Sequence, residues 1–180
     1  LATYLIKLLY SDIVESEYDD YNDDELREIN YIKEFQKKYP KAKIGLVIAM
    51  TSLRESLQNV FRKIPGLKAS MIIGPSDTLK LGEKYDLLIV DEAHRLRQYK
   101  NISFRGAFKK NNQKIGLGDT GTELDWIIAN SKNQIFFYDA AQSVKPSDID
   151  EEKFNKLLHD KNTLKLELTS QMRVNGGNNY

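Results

Sequence analysis

The chain opens on apolar residues at helical spacing. Leu1, Leu5, Leu8 and Leu9 lie on one stripe, which predicts a helix over residues 1–10 that starts without a capping residue. Next comes a run crowded with Asp12, Glu15, Glu17, Asp19, Asp20, Asp23, Asp24 and Glu25. Nothing spaces these carboxylates as a calcium loop would, so the run reads as a solvated loop or helix face. Residues 25–38 place Leu26, Ile29, Ile32 and Phe35 on one side, an exposed amphipathic helix that Tyr39-Pro40 ends.

From there continuous apolar runs alternate with helix-length segments. Residues 44–50, 69–74, 85–90 and 134–138 predict strands, and 164–168 a last one. Thr51-Ser52 introduces a helical stripe of Leu53, Leu57, Val60 and Phe61, and residues 122–130 and 149–159 predict further helices. Strands that are apolar throughout are buried on both faces. With helices between them they predict one α/β domain around a largely parallel sheet.

Composition narrows the chemistry. At 180 residues, 41% hydrophobic and 29% charged, the chain can bury one substantial core. It has no Cys and two His, which excludes disulfide frameworks, thiolate zinc sites, cysteine nucleophiles and all-histidine metal cages. A net charge of +1 excludes a polycation but leaves room for a local basic groove. No apolar stretch approaches the length of a membrane span, so no membrane partner is expected.

In an open parallel sheet, ligands gather beyond the carboxyl ends of the strands. Here those ends deliver Thr51 and Ser52, Asp91 and Glu92, Asp139 and Gln142, and Gln171 and Arg173. An apolar strand followed by Asp-Glu has the form of a Walker B motif, whose Asp holds magnesium and whose Glu takes a proton from attacking water. The same pair also suits a helix first turn, where carboxylates offset the dipole. Phosphoryl transfer further needs cations and donors around the γ-phosphate. Arg173 suits an arginine finger and Gln142 a γ-phosphate sensor or water-positioning group, although each alone reads as a surface residue.

Taken together the motifs resemble those of superfamily-one helicases. Leu88-Ile89-Val90-Asp91-Glu92-Ala93-His94-Arg95-Leu96 is similar to motif II, and Phe136-Phe137-Tyr138-Asp139-Ala140-Ala141-Gln142 to motif III. Leu168-Thr169-Ser170-Gln171-Met172-Arg173 resembles motif IV. Ile48-Ala49-Met50-Thr51-Ser52 resembles motif Ia, whose Thr or Ser touches the nucleic-acid backbone. Over nearly its whole length the chain most resembles an uncharacterised bacterial domain related to the Schlafen-group DNA/RNA helicase domain. The resemblance implies a RecA-like P-loop NTPase three-layer sandwich, with ATP and Mg2+ as cofactors and DNA or RNA, single-stranded, as partner. It implies a cytoplasmic location and a second motor domain in the full-length chain. It also assigns Asp91 to the metal, and Glu92, Gln142 and Arg173 to catalysis. Asp139 and Gln171 would serve nucleotide binding, and Thr51 and Ser52 nucleic-acid binding.

The resemblance is incomplete at one motif. No Gly-Lys-Ser or Gly-Lys-Thr occurs in the chain, so a Walker A loop, which cradles phosphates through backbone N–H groups and a Lys, is missing. The expectation is a first motor domain, residues 1–180, truncated before that loop, carrying an acidic insert at about 11–25 and inactive alone. The strand leading into the loop would leave a gap in the sheet. The alternative is a non-catalytic nucleic-acid or protein interaction module on a degenerate P-loop fold.

Weaker signals favour structural roles. Tyr99, Lys100, Phe104, Arg105, Phe108, Lys109, Lys110 and Lys114 interleave aromatic and basic residues. That pattern suits single-strand binding, but more often marks a solvated segment with anchoring aromatics. Gly116-Leu117-Gly118-Asp119-Thr120-Gly121-Thr122 reads as a turn and helix cap, Trp126 as core, His94 as a partner within its own motif, and His159 as a helix-end residue.

Overall fold

The apolar runs at the heart of the chain become strands β1 (Ile44–Ile48), β2 (Ile72–Ile73) and β3 (Tyr85–Asp91), whereas β4 (Ser131–Phe136) begins in the polar residues 131–133 and takes in only residues 134–136 of the expected run 134–138. They form one sheet in the order β2-β1-β3-β4 with every neighbouring pair parallel. A computed structural model describes residues 1–10, 22–80, 82–103, 105–142 and 145–168. Among the described residues the helices are α1 (Ala2–Tyr10), α2 (Asp23–Lys38), α3 (Thr51–Phe61), α4 (Arg105–Lys114), α5 (Glu123–Ala129) and α6 (Glu151–Leu158). Residues 1–149 form one compact unit holding the sheet and α1–α5, and residues 150–180 a second holding α6.

β1 is buried at all five positions, and Leu88, Ile89 and Val90 of β3 are fully buried. Both faces of these strands are therefore covered, which is why they carry no polar alternation. On one face Ile44, Leu46, Ile48, Leu87 and Ile89 join Ala2 and Ile6 of α1 and Phe61 of α3 in a single core. Val47, Leu88 and Val90 alternate with them and are buried on the other. α5, packed against β4, adds buried Leu124, Trp126 and Ile127. The result is a mixed α/β fold with an all-parallel sheet, consistent with a RecA-like sandwich.

α2 starts two residues before the expected boundary because Asn22 caps it. The Asn22 side chain accepts from the Asp24 and Glu25 N–H groups, and Glu25 accepts from the Asn22 N–H. Asp23, Asp24 and Glu25 thus serve the positive end of the helix, and Lys37 and Lys38 its negative end. The rest of the acidic run, residues 11–21, lies outside the described residues.

Three expectations are corrected. The apolar run 69–74 yields only two strand residues at an edge, with a 3-10 turn at Ala69–Met71 before them. Residues 164–168 are not a strand: Leu164, Leu166 and Leu168 are 81%, 78% and 71% exposed. Period-two alternation marks a strand only where a neighbour supplies backbone partners. Nor, among the described residues, does the sheet contain a gap, since the four strands there are contiguous. A further strand could pair only at the outer edge of β2 or β4.

At the amino ends of the strands, Asp86 is a keystone. Its carboxylate accepts from the Lys43 N–H at 2.8 Å and from Lys132 Nζ at 2.7 Å, joining β1, β3 and β4. The Lys132 hydrogen bond, then that of Lys43, holds the Asp86 carboxyl below the ordinary carboxylate range. Burial pushes Asp77 up, but hydrogen bonds from Lys80 and the Gly74 N–H, with the charges of Lys80 and Arg54, carry it below that range too. A carboxyl depressed in the folded state adds stability above its unfolded pKa and loses it as pH falls through the folded one. The melting temperature is therefore expected to fall as pH drops from about 5 to about 3. Circular-dichroism melts at fixed ionic strength should show a shallower fall in Asp86→Asn.

Candidate functional site

Three adjacent strands deliver their polar residues to one edge. Ile48 pairs with Asp91 and Val90 with Phe136, so the exits of β1, β3 and β4 lie side by side. Neighbouring strands are about 4.8 Å apart, which puts the outer two roughly 10 Å from each other across the β3 exit.

At the β1 exit, Thr51 and Ser52 form the exposed first turn of α3. Met50, which precedes them, makes no side-chain cap. Thr51 Oγ1 accepts a 2.8 Å hydrogen bond from Arg54 Nη2.

At the β3 exit, Asp91 is half-buried, and its side chain has no hydrogen-bond or ion-pair partner among the described residues. Glu92 adopts the left-handed conformation (φ 51°, ψ 48°) and leads into a short 3-10 turn, Ala93–Arg95. For a residue with a Cβ this conformation costs about 1–2 kcal/mol. The Glu92 side chain makes no capping bond; its Oε2 lies 3.0 Å from His94 Nε2 and 3.4 Å from Arg95 Nε. His94 is buried. Its Nε2 faces Glu92 off the hydrogen-bond line, and its Nδ1 has no hydrogen-bond partner among the described residues. The turn is anchored from behind by the Ala93 N–H donating to the Phe137 carbonyl at 2.8 Å. The Phe137 N–H in turn donates to Val90 at 2.9 Å.

At the β4 exit, Asp139 and Gln142 close a local turn on each other. Gln142 Nε2 donates to Asp139 Oδ2 at 2.7 Å, and the Ala141 N–H to Asp139 Oδ1 at 3.0 Å. Both residues are exposed. The fold thus brings Thr51, Ser52, Asp91, Glu92, Asp139 and Gln142 to one edge, while Gln171 and Arg173 lie outside the described residues.

Among the described residues no three His, Asp or Glu side chains gather into a metal cage. Magnesium takes one or two carboxylates and keeps waters and phosphate oxygens as its other ligands. Asp91, uncommitted at a strand exit, suits it. The phosphate cradle for ATP does not fit within this chain, which has no Gly-Lys-Ser or Gly-Lys-Thr.

Of the weaker signals, two aromatics of the basic stretch are packed. Phe108 is buried with its ring centroid 4.5 Å from that of Trp126 and 6.1 Å from that of Tyr99. Lys109 meets Asp119 at 3.6 Å, and Phe104 lies outside the described residues. Thr122 and Asp125 form the expected capping box of α5. His159 sits just past α6, its Nδ1 2.6 Å from the Asn155 carbonyl.

Two arrangements escaped the sequence reading. Buried Glu123 accepts from the Arg97 N–H at 2.8 Å, from Arg97 Nε at 3.0 Å and from Arg97 Nη2 at 2.7 Å. This clasps the segment after the Ala93–Arg95 turn to α5. Burial pushes the Glu123 carboxyl up and Arg97 opposes the rise. Arg54, the other, stands three residues after Thr51 on α3, and that spacing on a helix was a readable signal of contact.

Residues 4–180 match the family described as Schlafen group 3, DNA/RNA helicase domain. No curated protein and no solved structure matches the chain. Among the described residues no helix is long and apolar enough to cross a membrane.

Proposed function

Since the chain belongs to the Schlafen group 3 DNA/RNA helicase domain family, we propose that it is most of an ATP-dependent first motor domain acting on single-stranded DNA or RNA. The observation that carries the reading is the single edge on which three strand exits set out Thr51 and Ser52, then Asp91 and Glu92, then Asp139 and Gln142. Asp91 would hold Mg2+, which supplies charge neutralisation for the phosphates when bound. Glu92 would take the proton of the attacking water. Gln142, released from Asp139, would orient that water or contact the terminal phosphate, and Arg173 would add positive charge there. Asp139 and Gln171 would serve nucleotide binding, and Thr51 and Ser52 would contact the strand backbone. The phosphate cradle and the second motor domain would come from the rest of the full-length protein, which we place in the cytoplasm.

The test is magnesium-dependent ATP hydrolysis by the full-length protein with and without a single-stranded oligonucleotide. Turnover that rises with the oligonucleotide is expected; none in either condition overturns the motor reading. The absence of Gly-Lys-Ser and Gly-Lys-Thr from this chain favours a second reading, a non-catalytic interaction module on a degenerate P-loop fold. The residues encoded upstream discriminate, because a motor needs the phosphate loop there.

A further inference from the structure

Arg54 is held rather than free. Its side chain is 23% exposed, and Nη1 lies 3.8 Å from Asp77 Oδ2. Asp77 is itself fixed by the Gly74 N–H at 2.7 Å and by Lys80 Nζ at 2.5 Å. The guanidinium also occupies the space where a Cβ on Gly74 would stand, the clash falling on Nη1 and Cζ. From this seat Nη2 donates to Thr51 Oγ1 at 2.8 Å.

A guanidinium only donates, so Thr51 can only accept from it. The hydroxyl proton must then point away from Arg54, and Thr51 presents a donor to whatever stands beyond the first turn of α3. We infer that Arg54 is a positioning residue that turns Thr51 into a one-way donor toward a phosphodiester oxygen of the bound strand. The inference rests on the reading of Thr51 as a backbone contact. Because Asp77 offsets part of its charge, Arg54 acts through the orientation of Thr51 rather than by neutralising a phosphate itself.

Gly74 offers a probe that alters neither partner. Its φ of −91° suits any residue, and the atoms an added methyl would meet are the far end of a flexible side chain. Gly74→Ala should therefore displace the guanidinium from Thr51 and leave the fold intact.

The experiment measures fluorescence anisotropy of a fluorescein-labelled single-stranded oligo(dT) across a salt series, using the full-length protein. Thr51→Ala is expected to weaken binding roughly tenfold, the scale of one hydrogen bond to a charged acceptor. Gly74→Ala and Arg54→Met should each weaken it by about 3–10-fold, and neither should add to the loss in a Thr51→Ala background. The slope of log Kd against log salt should stay as in the parent, whereas a direct phosphate contact by Arg54 would lower it by about one in Arg54→Met. Unchanged binding in Thr51→Ala, or none in the parent, removes the contact on which the inference rests. If Thr51→Ala weakens binding but the other two variants do not, the contact stands and the positioning role falls. Full additivity with Thr51→Ala, or a reduced salt slope in Arg54→Met, likewise overturns it.

Discussion

Replacing Glu92 with Gln is expected to lower magnesium-dependent ATP turnover by the full-length protein about 10²–10³-fold, within the range that general-base groups contribute. Oligonucleotide affinity should hardly change. Gln keeps the shape of Glu and can still meet Arg95 and His94, which lie within 3.4 Å of the Glu92 carboxylate. What it cannot do is accept a proton at neutral pH. Steady-state turnover beside oligonucleotide binding separates this outcome from misfolding, and wild-type turnover in Glu92→Gln would eliminate the proposed base. The backbone supplies a second control. Only glycine takes a φ of 51° without cost, so Glu92→Gly should relieve about 1 kcal/mol of local strain while removing the carboxylate. A variant as stable as the parent yet inactive would separate the chemical role of Glu92 from a structural one.

Trp126→Ala carries the largest expected loss of stability, about 4 kcal/mol, or roughly 8–16 °C in melting temperature for a chain of this size. Two effects add. The indole is fully buried against Phe108 of α4, so truncation opens a cavity between α4 and α5. Its Nε1–H also donates to buried Asn112 Oδ1 at 2.7 Å. Asn112 Nδ2 bonds the carbonyls of Gly118 at 2.6 Å and Gly121 at 3.3 Å. Trp126→Phe separates the effects, because it restores most of the volume but leaves Asn112 Oδ1 without a donor, at a cost of about 1–3 kcal/mol. Urea denaturation of both variants checks the split. Equal losses in Ala and Phe would show that the hydrogen bond dominates and that packing contributes little.

The same residues show how unevenly the molecule could be read from its sequence. Trp126 is assignable to the core as a large apolar residue beside Ile127, although Ile128, which shares the helix, is exposed, and the Thr122 cap follows from the Asp125 three residues on. Asn112 gives no comparable warning. A polar residue in a basic stretch reads as solvated, and its burial depends on a Trp and two glycine carbonyls that only the tertiary fold brings to it. The helix α4 itself leaves little trace in the sequence for a related reason. Of its residues only Phe108 and Asn112 are buried, too few to set up an apolar stripe. Gly74 reads as an ordinary turn residue until Arg54, twenty positions earlier in the chain, is seen lying against it.

Local order along the chain therefore determined the α/β class, the strands β1 and β3, the helices with apolar stripes or capping residues, and the polar groups at each strand exit. These depend on neighbours within a few residues, and burial on both faces leaves a legible apolar run. The tertiary structure alone decided the strand order and its contiguity among the described residues. It also withheld a strand from residues 164–168, put Glu92 in the left-handed region, and seated Arg54 between Thr51, Gly74 and Asp77. Each of these depends on a backbone or side-chain partner distant in sequence, or on a dihedral angle that side-chain chemistry disfavours, and hydrophobic patterning carries neither.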